Sequence, residues 1–173
     1  MSETAAARPF LAKYCNGIGL DMGFGGSAIV PNALTFDMPK SYCPSFEGHT
    51  QILRGDCKNL SYFCDHALDY IYSSHLLEDF TYSELIPIIF EWRRVLKIGG
   101  LLIINCPDQQ KFLAHCHKTG QAINFAHKEN DFSLNTFYNN VIRNTYDWEK
   151  VYENSSAGAY SWYLVLKKLK RSI

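Results

Sequence analysis

Residues 17–39 read GIGLDMGFGGSAIVPNALTFDMP, and this stretch decides the fold. An apolar strand, Ile18 to Met22, runs into Asp21-Met-Gly23-Phe-Gly25-Gly26, and a second apolar segment, Leu34 to Phe36, ends at Asp37. Glycines directly after a strand let a ligand approach the backbone without meeting Cβ atoms, and exposed N–H groups there favour an anionic group. An acid closing the next strand is placed to accept hydrogen bonds from ribose hydroxyls. Together these features describe a site for an adenosine-containing ligand. Sixteen positions separate Asp21 from Asp37, whereas dinucleotide folds place the ribose acid roughly 20 residues beyond the glycines. The intervening helix must be shortened, and Pro31 and Asn32 predict a compact loop with a short helical turn.

Outward from this segment, strand-length apolar runs alternate with segments of helical period, the pattern of a parallel sheet covered by helices. Further strands are expected at Gln51 to Arg54, Leu68 to Ser73, Leu101 to Cys106, Trp148 to Tyr152 and Ser161 to Lys167. The spacing of Leu85, Ile88, Ile89, Trp92, Val95 and Leu96 predicts a helix from Ser83 to Lys97. Thr81 and Glu84 offer it a capping box, Pro87 asks for a late start or a kink, and Gly99-Gly100 is the expected stop. A second helix is expected from about Ser133 to Arg143. The last two strands are joined by a turn around Asn154 to Gly158, too short for a parallel crossover, so they form a hairpin. The fold class is α/β: a Rossmann-like three-layer sandwich around a mostly parallel seven-stranded sheet that ends in an antiparallel hairpin.

The 173 residues suit a single domain, 1–173, with residues 1–12 read as a short N-terminal tail. Seventeen Lys plus Arg balance seventeen Asp plus Glu, so no long-range field gathers phosphate backbones or anionic lipid. Nucleic-acid and membrane partners are therefore not expected. The opening MSETAAARPF lacks the basic and apolar regions of a signal peptide, which predicts a cytoplasmic location. Six scattered cysteines without a C-x-x-C pair read as reduced, mostly core residues. His115, Cys116, His117 and His127 match no standard zinc spacing, and no metal is expected.

Three further motifs complete the set. Gly55-Asp56 closes the third strand, LDYIYSSH carries the fourth strand into Ser73, Ser74 and His75, and EWRRVLKIGG leads into the fifth. In this order the motifs resemble a class I S-adenosylmethionine-dependent methyltransferase over essentially the whole chain. The resemblance implies S-adenosylmethionine as cofactor and S-adenosylhomocysteine as product. It implies cofactor-binding roles for Asp21, Gly23 and Gly25, with Asp37 as the ribose acid, Asp56 as the adenine-side acid, and Cys57 and Ser73 beside them. The chemistry is an in-line displacement at a sulfonium methyl group, so the protein must align a nucleophile, exclude water and, for hydroxyl acceptors, remove a proton.

Candidate bases are His75, just past the fourth strand, and Asp108, just past the fifth; Asp79 is a weaker one. For a base, His75 is expected to titrate near the unperturbed value of about 6.5. The polar segment 108–131 shows no clear period and, in the family, such an insertion forms a wall of the acceptor pocket. A polar wall suits a small hydroxylated acceptor, glycans included. A cofactor-binding module without turnover and a nicotinamide-dependent Rossmann enzyme are the alternative readings.

Overall fold

A computed structural model describes residues 2–38 and 52–170. The chain forms, in order, α1 (Glu3–Leu11), β1 (Gly19–Met22), β2 (Leu34–Asp37), β3 (Leu53–Arg54), β4 (Leu68–Ser74), α2 (Tyr82–Val95), β5 (Leu96–Pro107), α3 (Gln109–Thr119), α4 (Leu134–Asn140), β6 (Trp148–Ala157) and β7 (Ser161–Lys168). The seven strands lie in the order β3-β2-β1-β4-β5-β7-β6. All neighbours are parallel except β7, which runs antiparallel to both β5 and β6. The α/β sandwich and its closing hairpin are thus those expected, and none of the described helices is long and apolar enough to cross a membrane. Expected residue Gln51 of β3 and Cys43 lie outside the described residues; the five described cysteines are all unpaired.

Alternation along the central strands divides the core in two. In β5 and β7, Leu102, Ile104, Cys106, Trp162, Leu164 and Leu166 point to the face covered by α2 and α4. Ile103, Tyr163 and Val165 point to the other face, where they meet Ala7 and Leu11 of α1. Period-two burial on both faces is what a sheet enclosed by helices requires.

The N-terminal residues correct the reading of a tail. Ser2 caps α1 by accepting from the N–H of Ala5 at 3.2 Å, and Thr4, Ala7 and Leu11 bury one face of the helix. Residues 108–131 also differ: α3 stands there, capped by Asp108, whose carboxylate accepts from Lys111 N–H at 3.1 Å. Gly120 closes it in the left-handed region at φ +74°.

Helix α2 has the expected capping box but starts at Tyr82, runs through Pro87 and ends at Val95, not at Lys97. Leu96 is already extended and pairs with Leu68. The ammonium of Lys168 explains the early stop: it donates to the carbonyls of Arg93 and Leu96, each at 2.6 Å, satisfying the orphan end of the helix. Gly99, at φ +82°, lies inside β5 rather than at a helix terminus. The second expected helix is α4 followed by a 3-10 turn at Ile142–Asn144, and β6 extends to Ala157 with the turn at residues 158–160.

Between β1 and β2 there is no helical turn; residues 23–33 form a loop of turns. The compact connection expected from Pro31 and Asn32 is present, without the turn of helix.

Candidate functional site

A cleft of about 810 Å³ opens at the carboxyl ends of β1 to β4, the edge where open α/β sheets bind ligands. Gly23, Gly25, Asp37, Asp56 and Cys57 line one part of it, and Glu3, Ser74, His75 and Asp79 line another.

The glycine turn builds the first wall. Gly23, Gly25 and Gly26 have φ of +71°, +55° and +95°, a run that side chains with a Cβ adopt only under strain. Three of its N–H groups are engaged within the protein and not held open for an anion, contrary to expectation. Those of Gly23 and Phe24 both donate to the Phe36 carbonyl, at 2.9 and 3.2 Å. That of Gly25 approaches Asp37 Oδ2 at 3.4 Å, while Asp37 Oδ1 accepts from the Met38 N–H at 2.7 Å. The glycines therefore shape the wall more than they offer donors. A Cβ on Gly23 would meet the Leu76 side chain at 3.0 Å; on Gly25 its nearest described neighbour would be the Gly23 carbonyl oxygen at 3.6 Å.

The carboxylate of Asp56 is exposed, with Oδ1 accepting from Lys58 N–H at 2.9 Å in a tight turn. Next to it, the Cys57 carbonyl accepts from the Trp92 indole at 2.8 Å, which pins this turn to α2. Burial and the negative charge of Asp56 push the Cys57 thiol up to about 12, so it is a neutral thiol. Before these residues, Gly55 packs so close to Phe36 that an added Cβ would stand 2.8 Å from its ring.

Two residues expected at the cofactor do not line the cleft. Asp21 is 1% exposed and turns inward, where Oδ2 accepts from Ile29 N–H at 2.7 Å and Oδ1 has no partner among the described residues. Burial pushes its carboxyl up to about 8, against the opposing Ile29 hydrogen bond and the Arg8 charge. Ser73 is fully buried, beside Met22 in the parallel register, and its hydroxyl has no partner among the described residues. The two residues after it, Ser74 and His75, are the ones that reach the cleft.

His75 is held from several sides. Its backbone takes φ +50°, unusual for a non-glycine residue, and its N–H donates to the Asn105 carbonyl at 2.8 Å. Nε2 lies 3.1 Å from Ser161 Oγ and 3.6 Å from Glu3 Oε2; Nδ1 lies 3.4 Å from Glu78 Oε1. Burial pushes the imidazole down to about 4, only partly offset by Glu3, so the expected ionisation near 6.5 does not hold. The same burial pushes the Glu78 carboxyl up to about 8, and its Oε2 has no partner among the described residues.

Sequence reasoning missed Glu3 and Glu78. Glu3 arrives at the cleft because α1 is a helix, and Tyr160 donates to its Oε1 at 2.6 Å. Glu78 follows His75 by three residues in a 3-10 turn, a spacing that brings the two side chains together. By contrast, Asp108 is occupied in capping α3 and lies outside the cleft, which removes it as a candidate base. Asp79 does line the cleft, with its carboxyl raised by burial.

Residues 20–104 match a family model described as a methyltransferase domain. Among curated proteins no sequence match is found. Solved structures with the same fold include the PH0226 protein from Pyrococcus horikoshii, 20% identical, with a TM-score of 0.69 over 95% of this chain and 88% of that one. A SAM-dependent methyltransferase from Archaeoglobus fulgidus is 15% identical, with a TM-score of 0.71 over 96% of this chain and 95% of that one. Another from Methanosarcina mazei is 17% identical, with a TM-score of 0.61 over 92% and 96%. At these identities the structures share the fold, while the family model covers β1 through most of β5 and with it the glycine turn, Asp37, Asp56 and His75. Over residues 20–104 the chain is similar to a methyltransferase domain, and over nearly its whole length it shares the fold of these solved structures.

Proposed function

We propose that the protein transfers a methyl group from S-adenosylmethionine, bound in this cleft, to a hydroxyl of a small polar acceptor, glycans included. The cleft fits the cofactor: its volume is within the roughly 300–1,000 Å³ of small-molecule sites. Its two acidic turns, Asp37 after β2 and Asp56 after β3, stand at the ends of neighbouring strands where ribose and adenine would need acceptors. When bound, the cofactor supplies an electrophilic methyl group on a sulfonium.

One observation supports the acceptor class above the others: a neutral imidazole faces the cleft among groups that hydrogen-bond. Glu78, kept protonated by burial, offers Oε1 to an N–H at Nδ1, which leaves Nε2 of His75 an acceptor, in the structure for the Ser161 hydroxyl at 3.1 Å and in the reaction for the hydroxyl that displaces it. Nε2 then takes the proton as the acceptor oxygen bonds to the methyl carbon and the carbon–sulfur electron pair stays with sulfur. Glu3 and Asp79 beside it suit an acceptor with several hydroxyls and repel a lipid chain. With this reading goes a cytoplasmic location, where cysteines stay reduced.

Production of S-adenosylhomocysteine from panels of sugars and other small alcohols, matched amines, matched thiols and fatty acids tests the reading. Turnover is expected with the hydroxylated panel. Turnover confined to amines, thiols or fatty acids would overturn it.

A further inference from the structure

The loop that replaces the helix after β1 is held by a residue outside it. Arg8 of α1 donates from Nη2 to the Ala28 carbonyl at 2.7 Å and to Ser27 Oγ at 3.2 Å, and from Nε to the Ile29 carbonyl at 3.3 Å. Ile29 is therefore gripped on both sides, since its N–H goes to Asp21 at 2.7 Å. Its side chain is fully buried against the face that α1 covers. At its other end the same loop lines the cleft through Gly23, Phe24, Gly25 and Ser27.

A helix fixes its backbone through its own hydrogen bonds; a loop of turns has few and must borrow them. Three of the loop's acceptors go to a single planar guanidinium, whose fixed fork of donors can hold several oxygens at once. We propose that Arg8 is a positioning residue for the cofactor site, bracing residues 24–29 in the shape that receives the ligand. Without the brace, the loop would have to be ordered as the ligand binds, and that ordering would be subtracted from the affinity. The inference rests on the cofactor lying in this cleft, as proposed above.

The test uses the full chain with Arg8→Met and Arg8→Lys. Affinity for S-adenosylhomocysteine is measured by calorimetry, and amide hydrogen exchange is compared between residues 24–30 and residues 85–95 of α2. In Arg8→Met, affinity should fall about tenfold and exchange should rise in residues 24–30 with α2 unchanged. Arg8→Lys should fall between, because one ammonium cannot copy the fork. A folded Arg8→Met that binds within twofold of the wild type overturns the proposal, as does exchange that rises equally in both segments. If Arg8→Met does not fold, Arg8→Lys decides: weakened binding supports the role and unchanged binding overturns it. Failure of the wild type to bind S-adenosylhomocysteine would instead overturn the placement of the cofactor, and the exchange comparison would still decide whether Arg8 braces the loop.

Discussion

Asp21 provides a direct test of whether the first acid of the glycine motif serves the ligand or the fold. It is 1% exposed, makes one hydrogen bond, to Ile29, and leaves Oδ1 unpartnered among the described residues, so burial raises its carboxyl from 3.8 to about 8. An acid whose folded pKa lies above its unfolded value binds its proton more tightly when folded, so its contribution to stability falls as pH rises between those two values. Within that window the difference approaches one proton, a slope of about 1.4 kcal/mol per pH unit. Asp21→Asn keeps an oxygen for the Ile29 N–H and removes the titration. Glu78, His75 and every other titrating group stay in both proteins and cancel in the difference. Relative to wild type, Asp21→Asn should therefore gain on the order of 2–3 kcal/mol between pH 5 and pH 7. Urea unfolding of both proteins at pH 5, 6 and 7 measures this. A stability difference that stays constant across the three pH values would refute the buried, raised carboxyl. The affinity for S-adenosylhomocysteine should change far less than in an Asp37→Ala variant, because only Asp37 lines the cleft.

Three other outcomes are expected. Gly25→Asn should melt near the wild type, since Asn tolerates the left-handed φ of +55° and meets no close described neighbour, yet should lose cofactor affinity at least about tenfold by calorimetry; unchanged binding would remove Gly25 from the ligand's path. Gly23→Val is a poorer probe because its side chain would strike Leu76 whether or not a ligand is present. In wild type the rate should fall on acidification through about 4, not 6.5, because the neutral imidazole of His75 is the active form; His75→Asn should lower turnover by about 10² or more with cofactor binding nearly intact, and a folded variant of normal rate would end the assignment. Glu78→Gln should retain most of that activity because a neutral amide oxygen can still accept from Nδ1, whereas Glu78→Leu should not; loss of activity in Glu78→Gln at preserved Tm would show that an ionised Glu78 is needed.

The fold was legible because its signals are local and strong. The apolar runs of β4, β5 and β7 and the capping box at Thr81 are each contained in a few residues. What lay beyond reach depended on distant partners. The end of α2 is set by Lys168, seventy or more positions away, whose ammonium satisfies the carbonyls of Arg93 and Leu96 ahead of the expected stop at Gly99 and Gly100. The orientation of Asp21 depends on the path of the loop that brings Ile29 back over it. For α1 and α3, by contrast, the signals were in the sequence: Ser2 with Glu3 ahead of three alanines, and Asp108 and Gly120 bracketing the i, i+4 pair Phe112 and Cys116. The short length of α1 and the polar composition of α3 concealed the period. At the site, the residues that line the cleft were legible by motif position, but whether a neighbouring side chain faces the ligand or the core was not, as Ser73 and Ser74 show.

The shortened segment after β1 explains why the N-terminal residues matter so much. On the face away from α2, Tyr70, Tyr72 and Ile103 need cover, and a loop of turns between β1 and β2 supplies Ile29 and Ala33, with Val30 half-buried beside them, for part of it. Helix α1 completes the cover with Ala7 and Leu11, and its position is then fixed by that packing. From this fixed helix one side chain, Arg8, reaches the loop that borders the glycine wall, and another, Glu3, reaches His75 and Tyr160. The same apolar burial that stabilises this face therefore sets both the shape of the ligand wall and the charge beside the imidazole. A change to the packing of α1 would be felt at both parts of the cleft, while a change at Glu3 alone would alter the surroundings of His75 and leave the glycine turn in place.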